Sequence, residues 1–129
     1  MKVDYDSIKP IYLQIAEAIE DDVLTGRLPE GSPAYSQLIL SKELGVNPAT
    51  AAKGINLLVQ EGTLEKKRGQ SMVVAEGARA RLVASRQRNG LQSLITSLVA
   101  EANKIELPEK DVIAMLRDGF SPDGGGRQV

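Results

Sequence analysis

Few side chains in this sequence could do chemistry. Its 129 residues include no Cys and no His, which excludes disulfides, thiolate nucleophiles, His general bases and Cys/His zinc sites. Catalysis would have to use carboxylates, Lys, Ser or Tyr. Four carboxylates fall close together, at Glu17, Glu20, Asp21 and Asp22. They could serve acid–base or metal chemistry, but an exposed acidic helix face is the interpretation we favour. We therefore expect no enzyme, no cofactor and no metal site.

Charge is distributed unevenly along the chain. The formal net charge is −1, yet residues 64–90 carry seven Lys or Arg and two Asp or Glu. Residues 1–63 carry five basic and nine acidic side chains, and residues 91–129 carry four and six. A basic block between acidic flanks favours a local contact with an anionic partner, and a solvated basic face without a partner is the alternative.

The first element that must position these charges is a helix near the N-terminus. Apolar residues recur at helical spacing from Ile11 to Val23, which predicts a helix over residues 10–25. Pro10 suits its first position, and Gly26 suits the position just beyond its end. The following segment, residues 27–33, is rich in turn formers and cannot continue the helix.

Two further helices follow closely. Ser36 is a suitable N-cap for a short helix that Gly45 would end. Asn47 as N-cap and Pro48 as first residue predict a third helix, which should stop at Gly62. Two helices joined by a short turn that contains glycine resemble a helix-turn-helix, whose second helix enters the major groove of DNA.

The third helix has one apolar and one polar face. Helical spacing places Ala49, Lys53 and Asn56 opposite the apolar side chains. Because Thr can contact base edges or a thymine methyl and Lys can bind guanine O6 or N7, we expect Thr50 and Lys53 to contact bases. Asn56 lies further along the helix and is interpreted as a solvated polar residue.

A basic hairpin is predicted after the third helix. Residues 64–67 and 71–74 read as two short strands around the tip Arg68-Gly69-Gln70. Helix, turn, helix and hairpin together predict a winged helix, in which Lys67 and Arg68 would meet phosphates. The alternative is an edge hairpin that carries basic residues for solubility.

The order of these motifs resembles the N-terminal domain of GntR-family bacterial transcription regulators, over about residues 8–75. The residues that carry the resemblance are Pro10-Ile11-Tyr12-Leu13-Gln14-Ile15, Gly26-Arg27-Leu28, Gly31, Ser36, Leu44-Gly45-Val46-Asn47-Pro48, Thr50, Leu57-Leu58, Glu61-Gly62 and Lys67-Arg68-Gly69. The Val-Asn-Pro opening of the third helix and the short C-terminal segment look most like the YtrA subfamily. That resemblance implies a dimeric regulator, commonly of transport-related genes.

The chain departs from the family pattern at four places. Leu38 and Ala52 stand where many members have Arg, and Asn47-Pro48 stands where many have Ser-Arg. In the wing, Gln70-Ser71-Met72 replaces the end of the usual Gly-Arg-Gly-Thr pattern. The resemblance then implies that Lys67 or Arg68 supplies the contact between the wing and DNA. The residues expected to bind DNA are Ser36, Asn47, Ala49, Thr50, Lys53, Lys67, Arg68, Gly69 and Gln70, with a pure capping role as the alternative for Ser36 and Asn47.

Two apolar helical stripes follow the hairpin. A polar helix is predicted from Ala78, and after Gly90 the chain becomes strongly amphipathic. Helices this short cannot bury their apolar faces alone, so we expect a homodimer interface, with intramolecular core or a ligand site as alternatives. The expected interface residues are Leu91, Leu94, Ile95, Leu98, Val99, Val112, Ile113 and Leu116.

The predicted fold is mainly α-helical with a small β wing. We expect a winged helix-turn-helix in residues 1–76, a helical dimerisation and effector segment in residues 77–120, and a disordered tail in residues 121–129. The function expected is a cytoplasmic, ligand-responsive repressor that binds a palindromic operator in double-stranded DNA as a homodimer and contacts no membrane. A winged helix that contacts protein or RNA without operator binding is the alternative. The identity of any effector is not encoded in a recognisable motif.

Overall fold

The computed structural model describes residues 1–69 and 71–122. The chain divides into two compact units, the first from Met1 to Ser85 and the second from Arg86 onwards. In the part of the chain that the model describes, no helix is long and apolar enough to cross a membrane.

Helix α1 spans Ile11–Leu24 and buries its apolar stripe, as predicted. Its buried side chains include Ile15, Ile19 and Val23. Pro10 precedes the helix instead of starting it, because its ψ of 147° is extended. Its carbonyl oxygen accepts the first helical hydrogen bonds, from the N–H groups of residues 13 and 14.

Helices α2 (Gln37–Leu44) and α3 (Pro48–Gln60) begin and end where their caps predict. Ser36 Oγ accepts a hydrogen bond from the Ile39 N–H at 3.1 Å, and Asn47 Oδ1 accepts one from the Ala49 N–H at 2.8 Å. Gly45 ends α2 with φ of 66°, a left-handed conformation that costs glycine little. The two helices are joined by three residues, which confirms the predicted helix-turn-helix.

The wing is an antiparallel hairpin of β1 (Leu64–Lys66) and β2 (Met72–Val74), with Leu64 opposite Val74. A segment that the sequence indicated only as a loop pairs with the other edge of β2. The Ala34 N–H donates to the Met72 carbonyl at 2.8 Å, and the Val74 N–H donates to the Ser32 carbonyl at 3.0 Å. This pairing tolerates Pro33 because the missing N–H lies at an edge of the sheet.

The core of the first unit joins the three helices to the wing. Its fully buried side chains include Ile15, Ile19, Leu40, Leu58, Leu64 and Val74. Helices α1 and α3 approach each other closely at Gly54, where a Cβ would lie 2.9 Å from the Tyr12 carbonyl oxygen. The absence of a side chain at Gly54 therefore sets the distance between these two helices.

Helix α4 (Ala78–Ser85) belongs to the first unit, which extends beyond the boundary at residue 76 expected from the sequence. The reason is packing: Ala78 and Leu82 are buried in the same core as α1. The Glu30 carboxylate also accepts hydrogen bonds from the backbone N–H groups of Gly77 at 2.9 Å and Arg79 at 3.3 Å. These bonds satisfy amides at the start of α4 that have no helical partner.

The second unit contains a π-helical turn (Arg86–Gly90), helix α5 (Leu91–Lys104) and helix α6 (Glu109–Phe120). Gly90 does not interrupt the helical backbone, since its φ and ψ are −66° and −48°. Ser121 and Pro122 follow α6, and the rest of the tail expected to be disordered, residues 123–129, lies outside the described residues.

Candidate nucleic-acid interface

Helix α3 presents the polar face that its sequence predicts. Ala49, Lys53 and Asn56 are exposed, Thr50 is half-buried, and Ala51 and Leu58 on the opposite face are buried. The Asn47 side chain caps the first turn. A capped helix N-terminus with polar side chains on its first turns is the part of a helix-turn-helix that contacts base edges.

The residues expected to contact bases share one cleft with aromatic side chains. The cleft has a volume of about 440 Å³ and is lined by Tyr5, Ile11, Tyr12, Gly45, Val46, Asn47, Thr50 and Lys53. The Lys53 Nζ lies 4.1 Å from the centroid of the Tyr12 ring. This distance is within the range of a cation–π interaction.

Residues 1–9, which we call the N-terminal arm, close one side of this cleft. The Tyr5 hydroxyl donates a hydrogen bond to the Gly45 carbonyl at 3.2 Å, and the Leu44 carbonyl lies 3.4 Å from it. The arm thus contacts the turn between α2 and α3 directly.

The Gln14 side chain fastens the arm to α1. Its Oε1 accepts from the Asp4 N–H at 2.7 Å, and its Nε2 donates to the Asp4 and Lys9 carbonyls, both at 2.9 Å. Sequence reasoning missed Tyr5, Tyr12 and Gln14. The available signal was that two of the three tyrosines in the chain lie within its first twelve residues, before and at the start of α1.

The tip of the wing is exposed and basic. Lys66, Lys67, Arg68 and Gly69 are all exposed, and Gly69 has φ of 74°. The Lys67 Nζ lies 3.7 Å from a carboxylate oxygen of Glu65, and both side chains are about half exposed. An exposed ion pair of this kind stabilises little, so Lys67 remains available to a phosphate. Gln70 lies outside the described residues.

Ser36 is half-buried and caps α2, and its hydroxyl oxygen accepts a hydrogen bond from the Ile39 N–H. The first turn of α2 carries two exposed apolar side chains, Leu38 and Ile39. Leu38 is 61% exposed and stands where the family resemblance would place an Arg. The phosphate contact expected of that Arg therefore has no equivalent charge at residue 38.

Two of the acidic residues of α1, Glu17 and Asp22, are engaged by neighbouring side chains. Glu17 pairs with Lys9 at 2.6 Å. The Tyr35 hydroxyl donates to Asp22 at 3.1 Å, and burial together with the Asp22 carboxylate raises the pKa of the Tyr35 phenol. Among residues 1–69 and 71–122, no three Asp or Glu side chains cluster in a way that could hold a metal ion.

The eight residues expected at a dimer interface lie on α5 and α6 of the second unit. Seven of them are exposed, and Val112 is half-buried. Leu94 is 67% exposed, which is high for a leucine on a strongly amphipathic helix. An apolar groove of about 310 Å³ lies between the two helices, with Leu98, Ala102, Val112 and Leu116 in its lining.

Comparison with known proteins adds evidence from sequence and fold. A family model described as bacterial regulatory proteins of the gntR family matches residues 11–74. The HTH-type transcriptional repressor YtrA of Bacillus subtilis is 31% identical over 83 residues, which cover 64% of this chain and 64% of that protein. The solved structure of YtrA from Sulfolobus acidocaldarius, a GntR-family transcription factor, is 33% identical and has a TM-score of 0.59, with 76% of this chain and 95% of that chain covered.

One further solved structure bears on the fold alone. A GntR family regulator from Listeria monocytogenes has a TM-score of 0.71 at 24% identity and covers 88% of this chain and 97% of that chain. The chain spans about a quarter of the length of the longer curated relatives that it matches.

Proposed function

The chain belongs to the GntR family of bacterial regulatory proteins, and on that premise we propose that it represses transcription by binding an operator in double-stranded DNA. The observation that carries the proposal is the exposed polar face of α3, next to a capped helix N-terminus. Its similarity to YtrA, which is described as a transcriptional repressor, supports the same function.

The helix-turn-helix and the wing have different roles in this proposal. Thr50 and Lys53 contact base edges in the major groove, and Ala49 packs against a thymine methyl. Asn47 and Ser36 hold helix N-termini, whose free N–H groups bind phosphates. Lys67, Arg68 and the backbone of Gly69 follow the phosphates beside the helix, and their contribution is independent of the DNA sequence.

Binding as a homodimer suits a repressor that recognises an operator. Operators bound by helix-turn-helix proteins are usually two-fold symmetric, so an isologous dimer presents two copies of α3 to two half-sites. The expected interface is the exposed apolar face of α5 and α6. A contiguous apolar surface of this kind is unusual on a monomeric protein, which supports contact with a second copy.

A small-molecule effector would have its site in the second unit. The groove between α5 and α6 has a volume of about 310 Å³ and an almost entirely apolar lining. This volume is at the lower end for pockets that bind small organic ligands. An apolar or amphipathic effector would fit it better than a sugar phosphate.

Selection of duplexes from a random-sequence pool by the full-length protein tests the function. Binding to the selected duplex and to a scrambled duplex is then measured across salt concentrations. DNA binding requires that log affinity falls with log salt and that the selected duplex binds more tightly. Salt-independent binding, or equal preference for RNA of the same sequence, would instead favour a protein- or RNA-contact module.

Lys53→Ala tests the role given to α3. The loss of a base contact should weaken binding to the selected duplex by about 1 to 3 kcal/mol and change the scrambled duplex less. Lys110→Ala is the matched control, because it removes the same charge from an exposed position of the second unit. Equal losses on both duplexes would make Lys53 a phosphate contact.

A further inference from the structure

The ring of Tyr12 lies beneath the ammonium group of Lys53. The Nζ is 4.1 Å from the ring centroid, Lys53 is exposed, and Tyr12 is half-buried on the first turn of α1. One side of the ammonium group therefore faces an aromatic surface, and Lys53 lines the same cleft as Asn47 and Thr50.

The close approach of α1 and α3 accounts for this pairing. A Cβ at Gly54 would lie 2.9 Å from the Tyr12 carbonyl oxygen and 3.3 Å from the Ile15 Cγ2. Because Gly54 has no side chain, the first turn of α1 packs directly against the second turn of α3. Tyr12 is thereby brought to the same level as Lys53, the residue before Gly54.

We infer that Tyr12 is a positioning residue for Lys53 and thereby contributes to operator specificity. The inference rests on the proposed function and assigns a role to a residue of α1 that faces the candidate interface. Lysine has a flexible stem of four carbons, and fixing it on a base costs rotamer entropy. An aromatic ring that already restricts the ammonium in the free protein reduces that cost.

Restricting the Lys53 side chain should affect a base contact and a phosphate contact differently. A phosphate accepts a cation from many directions, so a mobile lysine binds it almost as well as a restricted one. A guanine edge offers two acceptors at fixed positions in the groove. Restricting Lys53 therefore strengthens binding to the correct sequence and has little effect on binding to other sequences.

Substitutions at Tyr12 in the full-length protein separate the ring from the hydroxyl. Tyr12→Phe keeps the aromatic face, and Tyr12→Leu removes it. We expect Tyr12→Phe to bind like the parent chain, and Tyr12→Leu to bind the selected duplex about three- to tenfold more weakly, as expected when one long side chain must be ordered on binding. Affinity for the scrambled duplex should remain unchanged.

A double-mutant cycle tests whether Tyr12 acts through Lys53. In a Lys53→Gln background, Tyr12→Leu should cause no further loss of affinity, because the two residues contribute one coupled effect. A loss that persists in that background, equal losses on both duplexes, or a loss in Tyr12→Phe equal to that in Tyr12→Leu would overturn the inference.

NMR of the free protein provides a second readout that needs no DNA. The Lys53 Cε protons should be shifted upfield by the Tyr12 ring in the parent chain and in Tyr12→Phe, and the shift should disappear in Tyr12→Leu. If Tyr12→Leu does not fold, Tyr12→Met replaces it in both measurements. Failure of the parent chain to prefer the selected duplex would refute the proposed function, whereas a normal preference in Tyr12→Leu would refute only the role of Tyr12.

Discussion

The carboxylate of Glu30 accepts a hydrogen bond of 2.9 Å from the backbone N–H of Gly77, a residue 47 positions later in the chain. A second bond, from the Arg79 N–H at 3.3 Å, completes a cap at the start of α4. The charged form of Glu30 also benefits from the dipole of the helix that it caps. Helix α4 is thus fastened to the turn between α1 and α2.

This contact predicts a specific pH dependence of stability. The backbone hydrogen bonds from Gly77 and Arg79 lower the pKa of Glu30 in the folded chain. The contribution of Glu30 is therefore fully present above its ordinary pKa, near pH 4.5, and is lost as the pH falls through the lower folded value. Urea unfolding from pH 7 to pH 3 should show a smaller acid loss in Glu30→Gln than in the parent chain. Identical pH profiles would contradict the capping role.

Gly54→Ala tests whether the missing side chain at the contact of α1 with α3 is required. The added Cβ meets the backbone oxygen of Tyr12 at 2.9 Å, and the helices must separate to accept it. We expect a loss of about 1 to 3 kcal/mol in the free energy of unfolding, which exceeds the helix propensity gained from alanine.

Gly119→Ala is the matched control for Gly54→Ala. It lies in α6, where nothing comes within 4 Å of the added Cβ. The same substitution there should be neutral or stabilising by up to about 1 kcal/mol. Thermal or urea unfolding of both variants measures the difference, and a stable Gly54→Ala chain would show that the helices can separate at little cost.

Replacing Lys67 and Arg68 by Gln tests the wing. If both side chains contact phosphates, binding to all duplexes should weaken, and the slope of log affinity against log salt should fall by roughly one unit for each lost contact. Glu65→Gln serves as the control, since it removes the ion-pair partner of Lys67 without removing a basic residue. An unchanged slope in the double variant would exclude the wing from the interface.

The local parts of this fold could be predicted from the sequence. Ser36, Gly45 and Asn47 act through hydrogen bonds and backbone angles within one helical turn, so their capping roles follow from residue type and spacing. The exposed face of α3 follows from helical periodicity in the same way. These features determined the predicted helix-turn-helix and the position of Lys53 on its outward face.

Features that depend on contacts between distant segments could not be predicted. The Tyr12–Lys53 pairing depends on how closely α1 and α3 pack, and Gly54 has no pattern that distinguishes it from a neutral helix glycine. The edge pairing of residues 32–34 with β2 and the capping of α4 by Glu30 connect segments about 40 residues or more apart. The extension of the first unit to Ser85 depends on the same long-range packing.

The exposed apolar face of α5 and α6 should be buried in a homodimer. Leu94 and Leu98 are 67% and 39% exposed, and contact with a second copy would remove both from water. Leu94→Asp or Leu98→Asp would place an unpaired charge in that contact, which is strongly destabilising. Sedimentation at micromolar concentration should therefore show a dimer for the parent chain and a monomer for these variants. Arg117→Asp, a charge change on α6 outside the expected interface, is the control.

Loss of the dimer should also weaken operator binding. The two half-sites are expected to lie about one helical turn, roughly 34 to 36 Å, apart or a multiple of that distance. Once the first half-site is bound, the dimer makes the second contact intramolecular, which can increase affinity by about 10² to 10⁴.

A fragment that ends at Ser85 should bind as weakly as the Asp variants and remain folded, because it retains Ala78 and Leu82 in the core. A fragment that ends at Gly77 should be less stable, since the burial of Leu82 alone contributes about 1.5 to 3 kcal/mol. If the full-length chain is monomeric at micromolar concentration and still binds a palindrome tightly, the apolar face of α5 and α6 has a role other than dimerisation.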